Sequence, residues 1–211
     1  YYDLTFSGAA DTWILDANLD VNNNLTISNG TLDVKSGSDY QVNVGNNFSA
    51  SGGTFTARSG TVVFDATDTG NTITDGGNNW YNVTLNGSGG GWSFADSTVI
   101  GNDLVVTAGT LSGTSDITVS GGDVTGNGTI NLTGGTFLLD GTGSFGGTTD
   151  WTFYNLTFGD GSGATTTTKT STNVITTSNN FAIAAAQILD ATDDTWNVGN
   201  NFTNSGTFTS N

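Results

Sequence analysis

The sequence contains no Pro, Cys, Met or His, and all 19 of its acidic residues are Asp, so Glu is absent as well. Its only cationic side chains are Lys35, Arg58 and Lys169. These absences remove most of the residues that favour helices. The residues that remain are typical of strands (Val, Ile, Thr and the aromatics) and of tight turns (Gly, Asn, Asp and Ser). The composition therefore predicts an all-β chain with many turns.

The missing residue types also exclude several kinds of chemistry. Without His or Cys, Ser-His-Asp and Cys-His arrangements are impossible, and the usual zinc sites are excluded. A net charge of −16 repels nucleic acid and anionic membranes, because binding them requires Lys and Arg. The apolar runs are also far shorter than the ~20 residues that a membrane-spanning helix needs. We therefore expect no nucleic-acid partner, no membrane partner, no cofactor and no enzymatic activity.

The state of the chain is a separate question. A hydrophobic content of 34% and a charge of one sign would suit a disordered segment. However, the apolar residues are β-branched and aromatic and recur in short alternating runs, so we expect a folded chain. The sequence starts at Tyr1 with no Met and no visible signal peptide. We therefore expect a processed product or a segment of something longer.

Three segments of the chain begin alike, at residues 2–6 (YDLTF), 81–85 (YNVTL) and 154–158 (YNLTF). Later elements keep the same order, since NVGNNF occurs at residues 43–48 and again at 197–202. GTVVFD at residues 60–65 likewise parallels GTFLLD at 135–140. These offsets define a long repeat of about 75 residues. They predict one solenoid domain over residues 1–211, with internal repeats 2–80, 81–153 and 154–211, the last incomplete.

A shorter period lies inside the long one. Residues 24–32 align with residues 47–55 at an offset of 23, and residues 109–111 align with 128–130 at an offset of 19. A unit of 19 to 23 residues is the length of one coil of a β-solenoid. Apolar residues alternate with Thr, Ser or Asn within the unit, so each strand has one inward face. The predicted fold is a parallel β-helix of about ten coils, right-handed by the crossover rule.

One segment conflicts with this pattern. Residues 181–189 (FAIAAAQIL) favour a helix by propensity because of their Ala run. The repeat instead aligns them with residues 25–32, a strand region. Tertiary context commonly overrides propensity, so we predict strands here.

The opening motif, the GNNF element with its following GTF, and the GTVVFD element resemble repeats of large secreted bacterial β-solenoid proteins. That group comprises filamentous-haemagglutinin-like and autotransporter-passenger-like adhesins and surface fibres. The resemblance covers nearly the whole chain, and its motifs are specific for architecture rather than for function. It implies a rod that is extracellular or held at the cell surface.

Carboxylates are the only groups left that could support catalysis or bind a metal. A polysaccharide-active β-helix enzyme could use the pair Asp65 and Asp68, or the pair Asp193 and Asp194. Polar turn corners explain both pairs more simply. Asp190, Asp193 and Asp194 form the densest carboxylate group and are weak candidates for calcium ligands, with a solvated turn as the alternative.

Three further features have a structural and a functional interpretation. The run Thr165 to Thr168 could belong to an ice-binding face, but its rows are too irregular. Trp92 and Trp196 could bind glycans if they are exposed, and otherwise belong to the core. Nine N-x-S/T sequons occur, and corner residues explain them better than glycosylation does.

Two classes of function fit the sequence. The first is an extracellular structural protein whose subunits stack head-to-tail into a surface filament or stalk. The second is a segment of a large cell-surface adhesin that binds glycans or other cells. No capping sequence is visible at either end, and uncapped coils expose strand edges that invite another chain. We therefore favour the first class, with a second copy of the chain or neighbouring repeats of a longer one as the partner.

Overall fold

The computed structural model describes residues 1–192 and 194–210. Within those residues the chain forms 27 β-strands and no helix. Strands of successive coils pair in parallel, for example Leu4 opposite Leu25 and Leu19 opposite Val42. The structure therefore confirms the predicted all-β solenoid. The predicted right-handedness and the division into three long repeats stay predictions.

Each coil contains three strand segments, which stack on three faces of the rod. Face A consists of β1 (Leu4–Phe6), β4 (Leu25–Ile27), β7 (Phe48–Ser49), β10 (Asn71–Thr74), the second part of β11 (Asn82–Phe94), the second part of β13 (Leu104–Gly113), β16 (Thr129–Leu132), β19 (Trp151–Phe153), β22 (Ile175–Thr177) and β25 (Trp196–Val198).

Face B consists of β2 (Thr12–Ile14), β5 (Thr31–Asp33), β8 (Thr54–Thr56), a single bridge at Trp80, β12 (Thr98–Ile100), β14 (Ile117–Val119), β17 (Thr136–Leu139), β20 (Asn155–Phe158), β23 (Phe181–Ile183) and β26 (Phe202–Asn204).

Face C consists of β3 (Leu19–Val21), β6 (Val42–Val44), β9 (Thr61–Phe64), the first parts of β11 and β13, β15 (Val124–Gly126), β18 (Gly143–Gly147), β21 (Thr166–Lys169), β24 (Ile188–Asp190) and β27 (Thr207–Thr209). β11 and β13 bend around the corner from face C to face A. Their hydrogen bonds therefore join those two faces into one 18-stranded sheet.

The three faces together make ten coils, as predicted. The paired residues show that coil length varies more than the predicted 19 to 23 residues. Trp92 and Leu111 are partners across 19 residues, whereas Phe48 and Ile73 are partners across 25. The longest coil contains the loop after β9, which includes Asp65 and Gly70 and makes no strand. Length changes therefore fall in corner loops, where they leave the stacked strands in register.

The core is a continuous column of inward side chains. Leu25, Ile27 and Phe64 are fully buried and Val62 nearly so, which confirms the predicted alternation. Burying one large apolar side chain stabilises a fold by roughly 1.5–3 kcal/mol, so many such positions together hold the rod without disulfides. The segment at residues 181–189 also follows the repeat rather than its helix propensity. It forms β23, a turn and the start of β24.

The long repeat changes face as it advances along the rod. The motif at residues 2–6 lies on face A, the one at 81–85 on face C and the one at 154–158 on face B. The bridge at Trp80 counts as one strand segment, and each bent strand counts as two. On that count each copy begins eleven segments after the one before. Eleven is one segment short of four coils, so each copy of the motif begins on a different face.

Candidate functional site

The two end coils expose positions that are buried everywhere else along the rod. We call β1 to β3 the N-terminal end coil and β25 to β27 the C-terminal end coil. In the C-terminal end coil, Phe202 continues the inward row of Phe181 and is 51% exposed, whereas Phe181 is 2% exposed. In the N-terminal end coil, Leu4, Phe6 and Trp13 are only partly buried. Both ends thus present apolar surface where the core column stops.

Aromatic rings concentrate at the C-terminal end coil. Phe181 and Phe202 stack with ring centroids 5.0 Å apart, and Trp196 stacks on Phe181 at 5.3 Å with an interplanar angle of 10°. Phe208 packs edge-on against Trp196. Aromatic pairs in such geometries add about 0.5–1.5 kcal/mol beyond their buried area. A further coil stacked on this end would extend the aromatic column.

The backbone of each end coil is paired on one side by the described residues. The N–H of Phe181, in the ninth coil, donates to the carbonyl of Asn201 in the tenth, at 2.8 Å. The N–H of Leu4, in the first coil, donates to the carbonyl of Asn24 in the second, at 3.0 Å. The opposite edge of each end coil has no partner strand among the described residues. Open edges of this kind accept another strand readily.

Asn and Asp side chains form ladders at the corners, and these ladders have a direction. Asn24 donates from Nδ2 to Oδ1 of Asp3 at 3.0 Å, and Asn47 donates to Asn24 at 2.9 Å. At the other end, Asn201 donates to Oδ1 of Asn180 at 3.0 Å. In each pair the side chain of the later coil donates to that of the earlier one. The C-terminal end coil therefore presents a side-chain acceptor, and the next coil of such a ladder would supply the donor.

These ladders also bear on the sequons. Five sequon Asn residues belong to them: Asn24, Asn47, Asn82, Asn155 and Asn201. The corner-residue interpretation is therefore confirmed for those five.

The ends match in face and direction. Ten whole coils separate the first strand from the last, so β27 completes a turn on face C and the next segment would lie on face A. Face A is where β1 lies. A second copy stacked on the C-terminal end coil would place its β1, β2 and β3 over β25, β26 and β27. No rotation by a third of a turn is needed.

The predicted carboxylate sites are dispersed or already engaged. Asp65 and Asp68 are both exposed on the loop after β9. Burial, followed by the charge of Asp20, raises the pKa of Asp65. Asp194 accepts a hydrogen bond from Lys169 at 2.9 Å and lies 2.8 Å from the Thr192 hydroxyl. Both carboxylate pairs therefore stay unsupported as catalytic groups.

For calcium, Asp190 is partly buried on β24, and Asp193 lies outside the described residues. Among the described residues, no three His, Cys, Asp or Glu side chains are close enough to hold a metal ion. The calcium site stays a prediction.

Trp92 is 1% exposed and Trp196 is partly buried, so both belong to the core column rather than to a binding face. Thr167 points inward and Thr166 and Thr168 are partly exposed on β21, so the Thr run forms no flat outer row.

Sequence reasoning missed one group. Lys169 was counted only as one of three scattered cations, but its side chain is fully buried beside Asn173 and Asp194. Its place after TTT on an alternating strand was the available signal, since that spacing puts Lys169 on the inward face.

No family model, curated protein or solved structure matches the chain. Among the described residues, no helix is long and apolar enough to span a bilayer.

Proposed function

We propose that this chain is a structural element of an extracellular filament or stalk, in which copies stack head-to-tail through their end coils. The observation that carries the proposal is the exposure of core-row residues at both ends, above all Phe202 at 51%. Covering about 100 Å² of such apolar surface is worth roughly 2.5 kcal/mol before the cost of association.

The geometry of the ends supports a second copy as the partner. Faces A, B and C of the two ends coincide, the corner ladders run in one direction, and both ends have an open strand edge. A head-to-tail contact that uses two different surfaces does not close, so it generates an open filament. The acidic surface, together with the resemblance to secreted solenoids, supports a place outside the cell.

Electron microscopy of the purified chain tests the proposal. We expect unbranched filaments one rod wide whose length grows with protein concentration. A parallel sedimentation experiment should show a mass distribution that shifts upward with concentration. A sharp monomer peak at every accessible concentration, with circular dichroism showing folded β-structure, would overturn the proposal.

A further inference from the structure

Lys169 occupies a position that belongs to the apolar core. On face C its Cα lies opposite Phe145, which in turn lies opposite Val124 and then Leu104. The side chains of those three residues are fully buried, and so is that of Lys169. A buried ammonium is costly unless it is paired and hydrogen-bonded. Its neighbours therefore decide what it does.

Three acceptors surround the ammonium nitrogen. Nζ of Lys169 lies 2.9 Å from Oδ2 of Asp194 and 3.1 Å from Oδ1 of Asn173, and it also donates to the carbonyl of Ser171. Burial raises the pKa of Asp194, and the hydrogen bonds from Lys169 and Thr192 lower it by more, so the net shift is downward. An amine, a carboxylate and a primary amide are thus held together in the core.

The amide of Asn173 is held asymmetrically. Its Oδ1 accepts the Lys169 hydrogen bond and a second one from the backbone N–H of Gly147 at 3.2 Å. Its Nδ2 is buried and has no hydrogen-bond partner among the described residues. Turning the amide over would place its NH₂ against two donors, so the orientation is fixed. A buried donor left unpaired in this way costs about 1–3 kcal/mol.

We propose that Lys169 and Asn173 condense spontaneously into an intramolecular amide cross-link. Nζ of Lys169 attacks Cγ of Asn173, a C–N bond forms to Nζ, and the bond from Cγ to Nδ2 breaks. The ammonium form of Lys169 and the amide of Asn173 become one secondary amide plus an ammonium ion. Atoms and charge balance, and no oxidant or other reactant is needed.

The surrounding groups suit each step of this reaction. Asp194 accepts a proton from Nζ across their 2.9 Å contact and delivers it to the departing nitrogen. The Gly147 N–H points at Oδ1, where negative charge develops when Nζ adds to the carbonyl. Asn173 is only 4% exposed, so bulk water is kept from the reacting carbonyl.

The leaving group has a way out. An open cleft of about 280 Å³ lies directly over the cluster, lined by Lys169, Thr170, Ser171, Thr172, Thr192 and Asp194. Ammonia released into this cleft is diluted into solvent, which drives the exchange of a primary amide for a secondary one. The product also removes the buried unpaired NH₂ group. The cross-link closes the corner at residues 169–173 and is independent of filament formation.

The mass of the purified chain gives the first test. We expect an intact mass about 17 Da below that of the sequence, corresponding to the loss of one ammonia. Succinimide formation at any Asn gives the same mass change, so a tryptic digest must distinguish the two. Trypsin cleaves the unmodified chain after Lys35, Arg58 and Lys169. A cross-linked Lys169 resists cleavage, and residues 59–211 should remain as one peptide, whose fragmentation locates the bond.

Variants separate the roles. Lys169→Arg and Asn173→Asp should each abolish the ammonia loss, and Asp194→Asn should leave at least a large fraction of the chain unreacted. Lys35→Arg is the matched control, because Lys35 pairs with Asp16 on the surface and should not affect the reaction. Cleavage after Lys169 at the full sequence mass, in folded protein after prolonged incubation, would overturn the proposal. Full cross-linking of Asp194→Asn would overturn the role of Asp194.

Discussion

Phe202 stacks on Phe181 with ring centroids 5.0 Å apart and an interplanar angle of 18°, although half of Phe202 is open to solvent. The two residues occupy the same inward row in consecutive coils, so the exposed side of Phe202 is the place where the next inward residue would pack. This makes Phe202 the most direct probe of the proposed junction between copies.

Phe202→Asp should abolish filaments, because a carboxylate at the junction would have to be buried without a partner. Electron microscopy and sedimentation would show short particles or monomers at concentrations where the original chain forms filaments. Tyr154→Asp is the matched control, since Tyr154 is 38% exposed on the side of the rod and should leave assembly unchanged. Normal filaments from Phe202→Asp would refute the proposed junction.

Assembly should also depend on salt. Every copy carries a net charge of −16, so copies repel one another during stacking. The Debye length falls from about 30 Å at 0.01 M salt to about 8 Å at 0.15 M, which screens this repulsion. We expect the critical concentration for filaments, measured by light scattering, to fall as NaCl is added. A rise in that concentration with salt would indicate a junction held by ion pairs instead of apolar contact.

Gly126 occupies a backbone conformation that only glycine adopts easily. Its φ is 139°, and a Cβ at this position would lie 2.0 Å from the carbonyl oxygen of Val106 in the coil below. Gly126→Ala should therefore lower the free energy of unfolding by about 1–3 kcal/mol or more. Gly163→Ala is the control, because a Cβ there meets nothing within 4 Å. Equal stability of the two variants in urea unfolding would contradict this reading of the corner.

The ion pair between Asp33 and Arg58 should make stability depend on pH. Oδ2 of Asp33 lies 2.6 Å from Nη2 of Arg58, and this hydrogen bond holds the pKa of Asp33 below its usual 3.8. A lowered carboxyl pKa gives stability that is present above pH 3.8 and is lost as the pH falls through the folded-state value. Asp33→Asn should cost about 1–2 kcal/mol at neutral pH and progressively less below pH 4.

The control for this pair is Asp16→Asn. Asp16 bonds Lys35 at 2.6 Å, but its side chain is 92% exposed, so its loss should not change stability measurably. Urea unfolding at several pH values compares the two variants. A penalty for Asp33→Asn that does not change down to acid pH would show that shape, and not charge, holds that corner.

Much of the fold could be predicted from the sequence because one rule acts at every coil. Alternation at Leu25 and Ile27, or at Val62 and Phe64, fixes the inward face wherever it occurs. The same rule identified residues 181–189 as strands against their helix propensity. Short-range pattern was sufficient here because stacking makes every coil a copy of its neighbours.

The candidate sites were less predictable, because they depend on which corner residues meet across coils. Lys169, Asn173 and Asp194 are brought together by corner loops of two successive turns, and Gly147 comes from a third. The number of strands per coil decides those meetings. Three segments per coil is a property of the corners, where Gly and Asn permit several paths, so the repeat length did not reveal it.

X-ray fibre diffraction from aligned filaments tests the central claim most directly. Coils that stack along the filament axis should give a meridional reflection near ~4.8 Å, and ten coils per copy should give an axial repeat of about 48 Å. A strand spacing that lies on the equator, or an axial repeat unrelated to ten coils, would contradict head-to-tail stacking of this solenoid.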